Sequence, residues 1–169
     1  MIKLLKLSVI AMLGLSTTFT FARQEQDLSK FLPNSTLTPG VVDSSVTLEQ
    51  ICTKGSSKAR RNVPQAVKDS VYKEYGLSTN SKQRTDKYEI DHLISLELGG
   101  SNDIKNLWPQ SYTTTPWNAH VKDKLENELH RLACLKDPKY TLAQLQNEIR
   151  TNWIASYKAH FGDLPAPGK

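Results

Sequence analysis

The residues best equipped for chemistry are Asp91 and His92, in the run Tyr88-Glu89-Ile90-Asp91-His92-Leu93-Ile94-Ser95, and His120 further on. Between them lie Leu98-Gly99-Gly100 and Asn106-Leu107-Trp108-Pro109. A carboxylate beside a histidine on a short apolar strand, then a glycine turn, a second strand and a helical histidine, is a layout that can hold one divalent metal next to one general base. The chemistry this suggests is hydrolysis of a phosphodiester. Such a bond resists water because its charge repels nucleophiles and its alkoxide leaves poorly, and a divalent cation addresses both. A neutral imidazole near its ordinary pKa can take the proton from the attacking water.

In that scheme Asp91 offers a hard oxygen ligand and His120 a nitrogen ligand, which leaves His92 as the base. Asn106 can hydrogen-bond backbone across the hairpin and fix the His92 loop. Glu89 shares a strand face with Asp91 and is a candidate acceptor behind the metal ligands. An ideal strand points Asp91 and His92 to opposite faces, so the strand must bend or end there for both to reach one site.

The elements that must position these residues are legible from periodicity. Tyr88 to Ile94 and Asn106 to Pro109 read as short strands, with a turn-rich loop between them. Pro64 suits the first turn of a helix carrying Val67, Val71 and Tyr75 on one face, with Gly76 as its stop. Gly55-Ser56-Ser57 opens a loop bearing Lys58, Arg60 and Arg61. Pro116, with Thr115 as cap, predicts the start of a helix whose stripe is Trp117, Val121, Leu125, Leu129 and Leu132 or Ala133, with His120 beside it. Thr141 and Gln144 form a capping box for a last helix burying Leu142, Leu145, Ile149, Trp153 and Tyr157 and ending at Gly162. Residues 23–50 are polar and turn-rich and read as a connector, with a short strand at Val41-Val42 or a helical turn at Thr47 to Ile51. Residues 51–162 then form the main domain and 163–169 a loose tail. His130 and His160 take no part in the chemistry.

The formal net charge is +5, but its distribution matters more. Nine basic residues lie between Cys52 and Lys87, against Asp69, Glu74 and Asp86. Lys58, Arg60, Arg61, Arg84 and Lys87, joined by Lys122 from the later helix, are candidates for contacting a polyanion backbone. At the N-terminus, Lys3 and Lys6 precede an apolar run from Leu7 to Phe21, and Thr20-Phe21-Ala22 offers small residues at the positions a signal peptidase reads. Residues 1–22 therefore read as a cleaved signal peptide. The expected location is secreted or periplasmic, with no stable membrane insertion after cleavage. In an exported protein the two cysteines, Cys52 and Cys134, are expected to pair. They cannot form a zinc knuckle, because no Cys-x-x-Cys is present.

The run from Tyr88 to Asp103, with Asn106-Leu107-Trp108-Pro109, resembles the HNH endonucleases of the ββα-metal fold. More narrowly it is similar to small exported bacterial HNH-type nucleases, which share an Ile-Cys segment like Ile51-Cys52, a Val-Pro helix start like Val63-Pro64 and a Trp-Asn-Ala-His run like Trp117 to His120. The resemblance covers most of residues 38–157, with the tight motifs inside 88–128. It implies an α+β fold in which a two-stranded hairpin packs on a helix, with additional flanking helices. It implies His92 as general base, Asn106 as loop support counted within the catalytic set, Asp91 and His120 as metal ligands, and a 5′-phosphate product. The cofactor would be one divalent ion, Mg²⁺ first, with Mn²⁺, Ni²⁺ and Zn²⁺ as alternatives. The partner would be DNA, with RNA left open, and little sequence specificity.

Two departures stand out. Ser95 occupies a position where many relatives carry Pro. The cysteine pairs that hold a structural zinc in many HNH domains are missing, which leaves a Cys52–Cys134 bridge to stabilise the domain. Two other readings stay open: a non-catalytic nucleic-acid-binding module on the same scaffold, and a metallohydrolase of another phosphate ester. No residue points to an immunity or inhibitor protein, and oligomeric state is not legible.

Overall fold

The structure is a computed structural model that describes residues 28–80 and 87–164. Arg84, the expected leader 1–22 and residues 165–169 lie outside the described residues. The architecture is mixed α and β, a two-stranded antiparallel hairpin with several helices.

Branched and aromatic residues make Tyr88–His92 a strand, β1. It pairs with β2, Leu107–Ser111, in a register running from Tyr88 opposite Ser111 to His92 opposite Leu107. Pro109 has no N–H to give, and a two-stranded sheet tolerates it because each strand has a free edge. β2 runs two residues past the expected Pro109 to Ser111. β1 ends two residues before the expected Ile94 and β2 starts one after the expected Asn106, because Asn106 takes the backbone of Ile94 for itself. Its Oδ1 accepts from Ile94 N at 3.0 Å, and its Nδ2 donates to Ile94 O at 3.0 Å and to Ser101 O at 2.8 Å. The loop between the strands folds tightly around these bonds. A Cβ on Gly100 would sit 1.8 Å from the Ile94 carbonyl oxygen, so only glycine fits there. Gly99 has φ +76°, a left-handed conformation that glycine adopts without penalty.

Five α-helices are present among the described residues: α1 Leu48–Ile51, α2 Ser56–Arg60, α3 Gln65–Glu74, α4 Ala119–Ala133 and α5 Leu142–Phe161. The expected loop at Gly55 to Arg61 is instead the single helical turn α2. The expected helix start at Thr115-Pro116 is also corrected. Asn118 is the N-cap of α4: its Oδ1 accepts from Val121 N at 3.1 Å and its Nδ2 donates to Thr114 O at 3.1 Å. An amide that binds in both directions is a better cap than Thr115, and Trp117 packs into the core from outside the helix.

The Thr141–Gln144 capping box of α5 is present, and Gly162 ends the helix at φ +79°. The helix breaks at Asn152, with φ −164° and ψ 95°, where Oδ1 of Asn152 caps Ile154 N and Ala155 N. Beyond the break Ile154 is buried as well as Tyr157, a change of face that simple periodicity does not contain.

The core lies between α4, α5 and the loop of the hairpin. Leu125, Leu129 and Ala133 meet Leu145, Ile149 and Trp153, with Ile94 and Leu98 beneath them. Trp117 stands edge-on to Trp153 and Tyr157, at 5.7 and 5.4 Å between ring centres. The segment read as a connector is, from Leu28 on, part of this body. Phe31 is in the core, Trp153 Nε1 donates to Phe31 O at 3.0 Å, and Thr38 Oγ1 donates to Leu107 O at 2.8 Å. Val42 bridges Gly100, and α1 carries the alternative helical turn with its own capping box. Cys52 and Cys134 form a disulfide that ties the end of α1 to the end of α4. No helix among the described residues is long and apolar enough to cross a membrane.

Candidate active site at the end of the hairpin

Directly opposed residues on antiparallel strands share a face, so Glu89 and Asp91 lie with Gln110 and Trp108, while His92 lies with Leu107 on the other side. The strand ends at His92. The two faces are then served by different elements: α4 meets Asp91, and the loop with α2 meets His92.

On the α4 face, Lys122 is fully buried and its ammonium gathers three acceptors. It donates to Asp91 Oδ2 at 2.7 Å, to the His92 carbonyl oxygen at 2.7 Å, and to Glu126 one turn along the helix. This corrects the expectation that Lys122 faces a nucleic-acid backbone. No solvent reaches it, because an ammonium between two carboxylates and a strand-end carbonyl is better satisfied inside than a lone cation would be. Burial disfavours the ammonium, but Asp91 and Glu126 outweigh burial and raise Lys122 above the ordinary lysine range. Burial also holds the Glu126 carboxyl well above the usual carboxylate range, against the pull of Lys122. Asp91 Oδ1 has no protein partner among the described residues.

Further acidic groups line the same face. Glu89 Oε2 accepts from Tyr112 Oη at 3.0 Å, and burial, then Asp91, pushes the Glu89 carboxyl up. Burial and Glu89 push the Tyr112 hydroxyl up to about 12. The Tyr112 ring lies 5.4 Å from the exposed ring of His120, the second residue of α4. Asp123 sits three residues along from His120. Burial and Asp91 raise its pKa, while Lys122, His120 and Arg61 oppose the rise. Among the described residues no set of three or more His, Cys, Asp or Glu side chains is gathered as a metal cage.

On the other face His92 is 4 % exposed, and its Nε2 lies 2.9 Å from Asn102 Oδ1. Asn102 Nδ2 in turn donates to the carbonyl of Arg60 at 2.8 Å. Among the described residues His92 Nδ1 makes no hydrogen bond, and it is not one of the sealed, unpartnered polar atoms. Burial lowers the imidazole below its ordinary value of 6.5, although Asn102 and Asp91 pull it back up. The ring is therefore neutral at neutral pH, with one nitrogen anchored and one available.

Asn106 is fully buried and spends its amide on backbone, so it holds the loop and does not reach a reacting group. Arg60 departs from the expected backbone-binding role in the same way. Its Nη2 donates to Leu96 O at 2.6 Å and its Nε to Ser56 Oγ at 3.3 Å, which fastens α2 to the loop. Lys58, Arg61 and Lys87 are exposed and remain free to meet an anionic partner.

Sequence reasoning missed Asn102, Tyr112, Asp123 and Glu126. The last two carried a signal: Asp123 follows His120 by three and Glu126 follows Lys122 by four, spacings that place side chains together on a helix. Comparison with protein-family models, with curated proteins and with solved structures found no match to this chain.

Proposed function

We propose that this protein is an exported, metal-dependent endonuclease of the HNH type, built around a ββα-metal core and cutting DNA with little sequence preference. The observation that carries this reading is the state of His92. Burial lowers its pKa, Nε2 is anchored to Asn102, and Nδ1 has no partner among the described residues, one residue away from a carboxylate oxygen that likewise has none among them. A general base must have a lone pair free and a ring that cannot turn, and His92 meets both demands.

Asp91 Oδ1 and the exposed His120 ring are the groups that would hold a divalent cation. Two protein ligands suffice for Mg²⁺, which keeps several of its waters. When bound, such a cation neutralises phosphate charge and stabilises the leaving oxygen. The chain's own residues do the rest. Lys58, Arg61 and Lys87 draw in the phosphate backbone, Lys122 holds the Asp91 carboxylate and the His92 carbonyl in register, and His92 Nδ1 takes the proton from water.

The reading is tested by incubating purified protein with plasmid DNA, linear DNA and RNA in Mg²⁺, Mn²⁺, Ni²⁺ or Zn²⁺, with and without chelator. Cleavage should require a divalent ion and disappear in His92→Ala, with the fold retained by circular dichroism. Equal cleavage by His92→Ala, freed of contaminating nuclease, would refute the assignment.

A further inference from the structure

We propose that Asn102 is the positioning residue of this site, and that the main-chain carbonyl of Arg60, through Asn102, determines which nitrogen of His92 carries the proton. The inference rests on the reading of His92 as general base.

A side-chain amide has one acceptor oxygen and one donor NH₂. The Arg60 carbonyl can only accept, so the NH₂ of Asn102 must face it across their 2.8 Å contact. The amide oxygen is then turned to His92, at 2.9 Å from Nε2. Two bare lone pairs at that separation would repel, so Nε2 carries the hydrogen. A neutral imidazole has only one N–H, which makes Nδ1 the basic nitrogen. A ring turned the other way would present its base to Asn102 and its N–H to the water, and could accept no proton there.

Both ends of this relay are fixed. The side chain of Arg60 is fastened to Leu96 and Ser56, which sets the carbonyl at the end of α2. Asn102 follows Ser101, whose N–H donates to Val41 O at 2.9 Å and whose carbonyl accepts from Asn106 Nδ2 at 2.8 Å. Leu96, Ser101 and Asn102 belong to one loop, so Arg60 grips that loop with its side chain and orients it with its backbone. The residue acts through a main-chain atom, which any side chain at that position would supply. Asn102 acts through an amide that only a residue with both donor and acceptor can replace.

The test pairs spectroscopy with kinetics. Long-range proton–nitrogen spectra of histidine-labelled protein, above neutral pH, read the His92 tautomer directly. The wild type should show hydrogen on Nε2. Asn102→Ala should lose that single tautomer and lower kcat on plasmid DNA by about 10- to 100-fold with KM unchanged, as expected when a histidine loses its orienting partner. Asn102→Asp keeps an acceptor for Nε2–H but has no donor for the Arg60 carbonyl, so it should restore the tautomer and recover only part of kcat. A wild-type ring protonated on Nδ1, or Asn102→Ala with unchanged tautomer and kcat, would overturn the proposal. If the tautomer behaves as stated but no form hydrolyses nucleic acid, the positioning role stands and only the nuclease reading falls.

Discussion

The Nζ of Lys122 lies 2.7 Å from Oδ2 of Asp91, and the lysine side chain is entirely inaccessible. The Asp91 carboxylate, which the proposed chemistry uses, is thus clamped through one oxygen, and the other has no partner among the described residues. The same ammonium bonds the His92 carbonyl, so one cation sets the position of both adjacent residues at the strand end. Replacing Lys122 by Met would leave Asp91 and Glu126 facing each other, mostly buried and without a counter-charge. Breaking a buried ion pair this way costs about 3–5 kcal/mol, and urea denaturation should show a loss of that order. A loss below about 1 kcal/mol, the range of exposed pairs, would mean the cluster is solvated.

Acid should affect both stability and activity through His92. Its folded pKa lies below the ordinary 6.5 because burial disfavours the imidazolium. The unfolded chain therefore takes up the proton first, and stability rises with pH through the window that ends at about 6.5. Above 6.5 this contribution is complete, and it is lost as pH falls toward the folded pKa. The acid limb of kcat/KM should accordingly fall below 6.5, reporting the free enzyme's base. A pH–rate profile with its acid limb at or above 6.5 would contradict the assignment of His92.

The disulfide closes a loop across a sequence separation of 82 residues. Chain entropy assigns such a cross-link about 4–5 kcal/mol. Cys52→Ser with Cys134→Ser should lower the unfolding free energy toward that amount, and thiol reductant should do the same to the wild type. Identical denaturation curves with and without reductant would show that the packing of α1 against α4 needs no covalent tie.

Salt dependence separates the basic residues that meet an anion from those that build the site. Each phosphate neutralised adds about 0.9 to the magnitude of the slope of log K against log salt. Lys58→Ala and Arg61→Ala should each weaken DNA binding and flatten that slope by up to this increment. Substitution of Arg60 or Lys122 should change stability and leave the slope as it is, since their charged groups are bonded inside the protein. Binding measured across a salt series would decide this, and an unchanged slope for Lys58→Ala and Arg61→Ala would remove them from the interface.

Much of the site's frame was legible because it is local. The Thr141–Gln144 box, the paired glycines at 99 and 100, the Asn106 loop anchor and the strands at Tyr88 and Leu107 each depend on residues a few to a dozen positions apart. Such short-range demands leave their mark on residue type and spacing. The helix start at Asn118 was harder to read, since Thr115, Pro116 and Asn118 all suit a first turn and only the hydrogen bonds choose among them.

The sequence by itself determined the order of elements, the pairing partners available to two cysteines, and the neighbourhood of Asp91 and His92. Tertiary structure alone decided which charges turn inward. Lys122 reads as a surface cation on its helix, and it becomes internal because a strand 31 residues away supplies a carboxylate and a free carbonyl. Asn102 reads as a turn residue, and it gains its role from a carbonyl 42 residues away. The physical reason is common to both. Each of these two side chains takes its place because acceptors from distant parts of the chain converge on it, and convergence is a property of the folded chain.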